Sequence, residues 1–346
     1  MTHQSTLDEP AAGAAAATAT IAPIAQELDD VVKEVSRLGS YRQVPAADGL
    51  HLAMSLTHRA ILGIAELQQV GWSRERIMGR LEPSRTVHAE SPFVRRLQAW
   101  PRGYPGDFET IEYLIQQRNT GIPGRFSYWL EQVTLDSAMA QQHRNKVELQ
   151  ARAILETVLA SSCGTEQPRV LVLAAGGSPD LRAIQSILSA QRFRAVLLDQ
   201  DEGALAFSAS SLPLLADRLT LVNRNVVRGL QDVRHLGPFD LVLAGGLFDY
   251  LPDRVATLVL RCAYQHLLAP GGQMFFTNIG ETNLYRPWIE HMVDWVLIHR
   301  SEADVRSLCV EAGYSDAAVS VSRERTGLTL VVTARRDSGT ADARSR

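Results

Sequence analysis

The chain has little of what would mark a secreted, metal-bound, membrane or nucleic-acid-binding protein. Its 346 residues hold three cysteines, Cys163, Cys262 and Cys309, far apart and with no CxxC pair. That spacing argues against a disulfide framework or a cysteine zinc site and fits a reducing cytoplasm. No apolar run approaches the roughly 20 residues that span a bilayer. Asp8 and Glu9 stand where a signal peptide would carry basic residues ahead of an apolar core. The 35 Lys and Arg residues against 38 Asp and Glu leave a net charge of -3, without the basic field that nucleic-acid binding uses. A small molecule is the expected partner.

The composition that remains, 45% hydrophobic and 21% charged, is that of a globular protein large enough for two ordinary domains. Residues 1–22 and 336–346 read as disordered tails. From residue 23 to residue 160 the apolar positions recur at helical spacing, as in IAQELDDVVKEVSRL and LHLAMSLTHRAILGIAELQQV, and no convincing strand occurs. Breaks fall at GWSRER (71–76) and AWPRGYPGDF (99–108), where prolines and glycines forbid continuous helix and Asp107 can cap the helix that follows.

From 165 to 335 strands alternate with helices. The expected strands are RVLVLA (169–174), FRAVLLD (193–199), RLTLVN (218–223), FDLVLAG (239–245), GQMFFTN (272–278), AAVSVS (317–322) and GLTLVVTA (327–334). Apolar strands with long connections predict a parallel sheet covered on both faces, and the short last connection predicts an antiparallel strand at its edge. This is an α/β fold of seven strands preceded by an all-helical domain.

In such a sheet ligands bind beyond the carboxyl ends of the strands. The first strand runs into Ala174, Ala175, Gly176, Gly177 and Ser178, a turn whose glycines let a backbone approach a flat ligand, although the third glycine of a dinucleotide fingerprint is missing. Asp180 could cap the next helix. The second strand ends in Asp199, about twenty residues beyond the turn, the usual place for a carboxylate that accepts from two ribose hydroxyls. The plainer reading makes Asp199 or Asp201 a helix cap. Gln200 follows Asp199, Asn223, Asn225 and Val226 follow the third strand, and the fourth ends in Ala244, Gly245 and Gly246 before Asp249 and Tyr250.

The succession of strand, glycine turn, Asp199, NRNV, FDLVLAGGLFDYL and LLAPGG resembles the motifs of class I S-adenosylmethionine (SAM) dependent methyltransferases over residues 165–335. RGYPGDFETIEYL, LLDQDEGAL, LAPGGQMFFTNIGETN and DWVLIHRSEADV are similar, more narrowly, to a bacterial group annotated for 3-hydroxypalmitate methyl ester biosynthesis and to the azetidine-2-carboxylate synthases, which cyclise SAM itself. The resemblance implies a Rossmann-like sheet with an antiparallel last strand. It implies SAM held by Ala175, Gly176, Gly177, Asp199, Gln200, Asn225, Val226, Ala244 and Gly246, and a part in secondary or signal metabolism. In one place the chain departs from the broad family: Val172 occupies the position of the acidic residue that usually lies near the SAM ammonium.

Two chemistries follow from that resemblance. Methyl transfer to a carboxylate needs alignment and no base, whereas a hydroxyl acceptor needs one, for which His143, Asp249, Tyr250 and Tyr104 are the polar candidates. Cyclisation needs a neutral SAM amine, which the missing acid at Val172 suits. An idle SAM-binding module is the third possibility that the fold leaves open. Aromatic faces at Tyr104, Phe108, Tyr250 or Trp295 could hold a sulfonium, with core packing the plainer expectation for Trp295. The RGYPGD turn and the helical positions Arg144 and Asn145 are candidates for a lid over the pocket, and Asn278 for a contact with SAM or substrate. The expected catalytic set is thus Tyr104, Asp107, Asn145, Asp249, Tyr250 and Asn278, with no metal.

Overall fold

The computed structural model describes residues 9–160 and 167–338, with side chains described from residue 22 onward. The helices ahead of the first strand are α1 (Glu9–Gly39), α2 (Ala46–Gln69), α3 (Arg74–His88), α4 (Pro92–Ala99), α5 (Phe108–Gln116), α6 (Phe126–Asp136) and α7 (Ala138–Ala160). Residues 9–22, expected to be part of a disordered tail, are helical in α1. Their alanine-rich run, AAGAAAATAT, has high helix propensity, which outweighs the lack of an apolar stripe. At the other end Arg336, also expected in a disordered tail, is held in place, its backbone N–H donating to the Gly272 carbonyl at 2.8 Å; residues 1–8 and 339–346 lie outside the described residues.

The chain divides into two compact units that do not follow its order. One comprises 1–106, 117–137 and 284–296; the other comprises 107–116, 138–283 and 297–346. In the helical unit, Glu131 of α6 is fully buried and accepts from Ser91 Oγ at 2.6 Å and from the Thr120 backbone N–H at 2.7 Å, which ties α6 to the start of α4. Arg74 and Arg85 of α3 both reach the Asp294 carboxylate at 2.6 Å, fixing the inserted 284–296 segment to that helix.

The second unit is built on a sheet of β1 (Arg169–Leu173), β2 (Arg194–Asp199), β3 (Leu219–Asn223), β4 (Phe239–Ala244), β5 (Leu268–Ile279), β6 (Val319–Arg323) and β7 (Thr329–Arg335). Its order is β3-β2-β1-β4-β5-β7-β6; β1 to β5 run parallel, and β7 is antiparallel to both β5 and β6. All seven expected strands are present, with ends shifted by a few residues at most except for β5, which starts four residues early.

Alternation along the strands divides the core between the two faces. One face carries Leu171, Leu173, Val196, Leu198, Val242 and Phe276; the other carries Val170, Val172, Ala195, Leu197, Leu241 and Leu243. Between and after the strands lie α8 (Pro179–Leu188), α9 (Glu202–Ser211), α10 (Val226–Asp232), α11 (Asp253–Cys262), α12 (Arg286–His291) and α13 (Glu302–Ala312). Ala153, Ile154 and Val158 of α7 pack on the Val172 face. Because the strand order reverses between β1 and β4, the crevice for a ligand opens at the ends of β1, β2 and β4. Among the described residues no helix is long and apolar enough to cross a membrane.

Candidate active site

The glycine turn after β1 is strained as well as flexible. Ala174, Gly176 and Ser178 all take left-handed backbone angles, with φ of 51°, 54° and 48°. For the two non-glycine residues that conformation costs roughly 1–2 kcal/mol each, and such strain persists where the surroundings impose it. Here α9 supplies part of the constraint: Ser208 Oγ donates to the Gly176 carbonyl at 2.8 Å and lies 3.0 Å from Ser178 Oγ.

Asp199 is the central polar group of this edge. Its Oδ2 accepts from the Gly176 N–H and its Oδ1 from the Asp201 N–H, each at 2.8 Å, so one carboxylate holds the β1 and β2 loops together. The helix cap is Asp201, whose side chain accepts from the Ala204 N–H at 3.2 Å. Asp199 is therefore free of capping duty. Burial raises its pKa despite the backbone donors. An ionised carboxylate offers about four acceptor sites, so capacity remains for ligand hydroxyls.

Gln200 and Asn225 stand beside it: Asn225 Nδ2 donates to Gln200 Oε1 at 3.1 Å, while Asn225 Oδ1 caps α10 by accepting from the Val227 N–H. Val226 is buried, as are Ala175 and Ala244.

From the other side α5 closes over the turn. A Cβ placed on Gly176 would lie 3.6 Å from Phe108 Cβ, and one on Gly177 would lie 3.0 Å from Glu112 Oε1 and 3.1 Å from the Phe207 ring. A side chain at Gly177 would require Glu112 and Phe207 to give way by a few tenths of an ångström. Glu112 pairs with Arg182, whose Nε donates to the Gly177 carbonyl at 3.0 Å and whose guanidinium lies over Phe207. Glu112, Arg182 and Phe207 escaped the sequence reading because nothing local marks a helix as covering a turn about 65 residues downstream.

Asp107 acts at the start of α5, where Oδ1 accepts from the Glu109 and Thr110 N–H groups at 3.0 and 3.2 Å. The structure thus gives the proposed catalytic Asp107 the part of a buried helix cap. Asp180 was expected to cap α8, but that position belongs to Ser178, and Asp180 lies inside the first turn, 2% exposed. Burial pushes its pKa up to about 6. A carboxyl whose folded pKa exceeds its unfolded value near 3.8 holds its proton longer when folded, so stability falls as pH rises through about 4 to 6. The Asp180→Asn variant should lose part of that slope, on the order of 2 kcal/mol between pH 4.5 and 7 by urea unfolding; an unchanged slope contradicts the assignment.

The end of β4 forms the second half of the site. Gly245 lies under the Gln150 amide of α7, with 2.2 Å from an added Cβ to Gln150 Oε1. Because that amide is the far end of a flexible side chain, Gly245→Ala is expected to displace it at a cost of about 1–2 kcal/mol, read as a lower urea midpoint. Asp249 is buried; its Oδ1 accepts from the Ile279 N–H at 2.6 Å and its Oδ2 faces the buried Lys146 ammonium at 3.8 Å, beyond hydrogen-bond length. Burial dominates for both, raising the Asp249 pKa and lowering that of Lys146, each toward its neutral form. Tyr250, next in the chain, is 39% exposed.

Asn278 corrects an expectation. Fully buried, its Nδ2 donates to the carbonyls of Ile279 and Ile298 at 2.9 Å each, and its Oδ1 accepts from Arg300 at 2.5 Å, so the amide is committed to the scaffold. Asn145 is also engaged: its Nδ2 donates to Glu324 Oε2 at 2.6 Å, and its Oδ1 accepts from Gln141 at 2.9 Å. Arg144 reaches the Leu114 carbonyl of α5 at 2.9 Å. His143 is buried and its pKa falls well below the usual imidazole value through burial, aided by Lys146 and Arg144. Tyr104 and Trp295 belong to the helical unit, where Trp295 is buried.

No family model matches the sequence, and no curated protein does. Solved structures do. Over 96% of this chain and 100% of the other, at 18% identity and a TM-score of 0.52, it is similar to a possible exported protein from Bordetella parapertussis. Over 93% of this chain and 91% of the other, at 16% identity and a TM-score of 0.50, it is similar to the DszA carbon methyltransferase. The fold is a methyltransferase fold. Within that fold the glycine turn, Asp199 and the β4 edge of this chain all lie at strand carboxyl ends.

Proposed function

We propose that the protein binds SAM across the ends of β1, β2 and β4 and transfers its methyl group to a carboxyl or hydroxyl oxygen of a small or acyl substrate in secondary or signal metabolism. The observation that carries this reading is the Asp199 carboxylate, buried at the end of β2, bonded to the Gly176 N–H at 2.8 Å and not used as a helix cap. A site for ribose hydroxyls needs a fixed acceptor of this kind beside a turn without side chains, and Gly177 meets the second condition. SAM, when bound, supplies a methyl group made electrophilic by its sulfonium.

The chain contributes alignment and exclusion of water. Phe108 and Glu112 cover the turn, and Gln200 and Asn225 line the ribose side. With a carboxylate acceptor no proton moves. With a hydroxyl acceptor the proton passes to Asp249, whose raised pKa makes it a stronger base than an exposed aspartate.

A second reading is cyclisation of SAM with release of methylthioadenosine. The observation in its favour is Val172, which packs 3% exposed in the strand core where a carboxylate would otherwise hold the ammonium form of the amine. One incubation separates the readings. Purified protein is given SAM alone or SAM with carboxylic-acid and alcohol acceptors, and products are identified by mass spectrometry. S-adenosylhomocysteine formed only with an acceptor supports methyl transfer; methylthioadenosine with a cyclic amino acid and no acceptor supports cyclisation; SAM bound and returned unchanged leaves a binding module.

A further inference from the structure

The helix before the sheet, α7, carries a buried polar row that no motif predicts. Gln142, Lys146 and Gln150 recur every four residues with Asn145 beside Lys146, and all four are 7% exposed or less. They lie over the carboxyl ends of β4 and β5 and the amino end of the antiparallel β7. Gln150 covers Gly245, Lys146 faces Asp249, Asn145 bonds Glu324, and Gln142 Oε1 accepts from Thr329 Oγ1 at 2.8 Å. The register Thr277↔Val331 and Ile279↔Thr329 puts Thr277 and Thr329 on the same face of the sheet, the one α7 covers.

Most acceptors in this patch are already used. Glu324 takes the backbone N–H groups of Thr326, Leu328 and Thr329 besides Asn145, and Asp249 Oδ1 takes that of Ile279. Donors are in excess. Gln142 Nε2 and Thr277 Oγ1, on residues that are fully buried, have no hydrogen-bond partner among the described residues. The Lys146 ammonium is 3.8 Å from Asp249 Oδ2, too far for a hydrogen bond. A buried amide and hydroxyl without partners are costly unless a ligand supplies them. Native structures leave few such groups, and two of them beside a buried ammonium held only at ion-pair distance, at the crevice edge, call for an oxygen-rich anion.

The geometry points to a carboxylate-binding site formed by Gln142, Lys146 and Thr277. This inference rests on the SAM-binding reading above and deepens it. The carboxylate comes either from the methionine end of SAM or from an acceptor molecule. Lys146 supplies the charge and Gln142 and Thr277 the directional bonds.

Calorimetry on the full-length protein separates the sources. In one arm SAM is compared with decarboxylated SAM. In the other, octanoate is titrated into protein saturated with the non-reactive analogue sinefungin. Each is repeated with Lys146→Met and with Gln142→Leu; the second variant keeps every charge in case the first, which strands Asp249, fails to fold. If the patch holds the carboxylate of SAM, wild type prefers SAM over its decarboxylated form by about 10- to 100-fold and the variants lose the preference. If it holds the carboxylate of an acceptor, the two cofactor forms bind alike, octanoate binds, and the variants abolish its binding. SAM binding with neither response sensitive to Lys146 or Gln142 overturns the carboxylate site. Failure of wild type to bind SAM at all overturns the SAM-binding reading instead.

Discussion

Replacing Asp199 with alanine is expected to weaken SAM binding by about 1.5–3 kcal/mol, roughly 10- to 150-fold, because two charge-assisted bonds to ribose hydroxyls are lost together. The Gly176 and Asp201 N–H groups, both 2.8 Å from that carboxylate, also lose their acceptor, so the β1 and β2 loops loosen at the same time. Asp199→Asn separates the two contributions. An amide keeps an acceptor for only one of the two loop N–H groups, so it should recover part of the thermal stability that alanine loses while affinity falls part of the way. Titration calorimetry on folded variants reads the effect, and unchanged affinity in Asp199→Ala refutes the ribose assignment.

The largest expected loss of stability lies behind the site, at Arg300. This side chain is 3% exposed and donates to the Phe248 and Leu251 carbonyls, to Asn278 Oδ1 and to Asp253. Asp253 has a side chain 76% exposed, so its ion pair is screened and contributes little. The buried acceptors decide the outcome. Arg300→Met leaves two carbonyls and an amide oxygen short of donors, a loss on the order of 3–5 kcal/mol. For a domain of this size about 2–4 °C is lost per kcal/mol, so the melting temperature should fall by roughly 6–20 °C. The segment from Phe248 to Asp253 includes Asp249 and Tyr250, so activity should fall along with stability. A fall of under 3 °C in scanning calorimetry would show that Arg300 is not what holds this loop.

Much of the fold was legible because strands buried on both faces leave a plain mark. VLVL (170–173) and AVLL (195–198) are unbroken apolar runs, as a doubly covered sheet requires. Asp199 could be read from its distance to the glycine turn, since that distance is set by one strand–helix–strand unit. Of the α7 row only Asn145 stands out in the sequence, because in a single sequence polar residues at helical spacing look the same whether they face water or a sheet edge. The packing of α5 and α7 with the sheet unit was hidden for a related reason: periodicity shows which face of a helix is buried but not against what.

Asn278 misled in the opposite direction. A polar residue leaving a strand suggests a pocket contact, and only the position of Arg300, 22 residues later, reveals a buried scaffold bond. The left-handed angles at Ala174 and Ser178 had no signal at all, as neither residue type favours them.

The most direct test of the account is a crystal structure of the protein with S-adenosylhomocysteine, the product form of the ligand. The ribose hydroxyls are expected within hydrogen-bond distance of the two Asp199 oxygens, with the amino-acid part over Gly176 and Gly177. Ligand bound elsewhere, or bound with Asp199 engaged only by the Gly176 and Asp201 backbone, would contradict it.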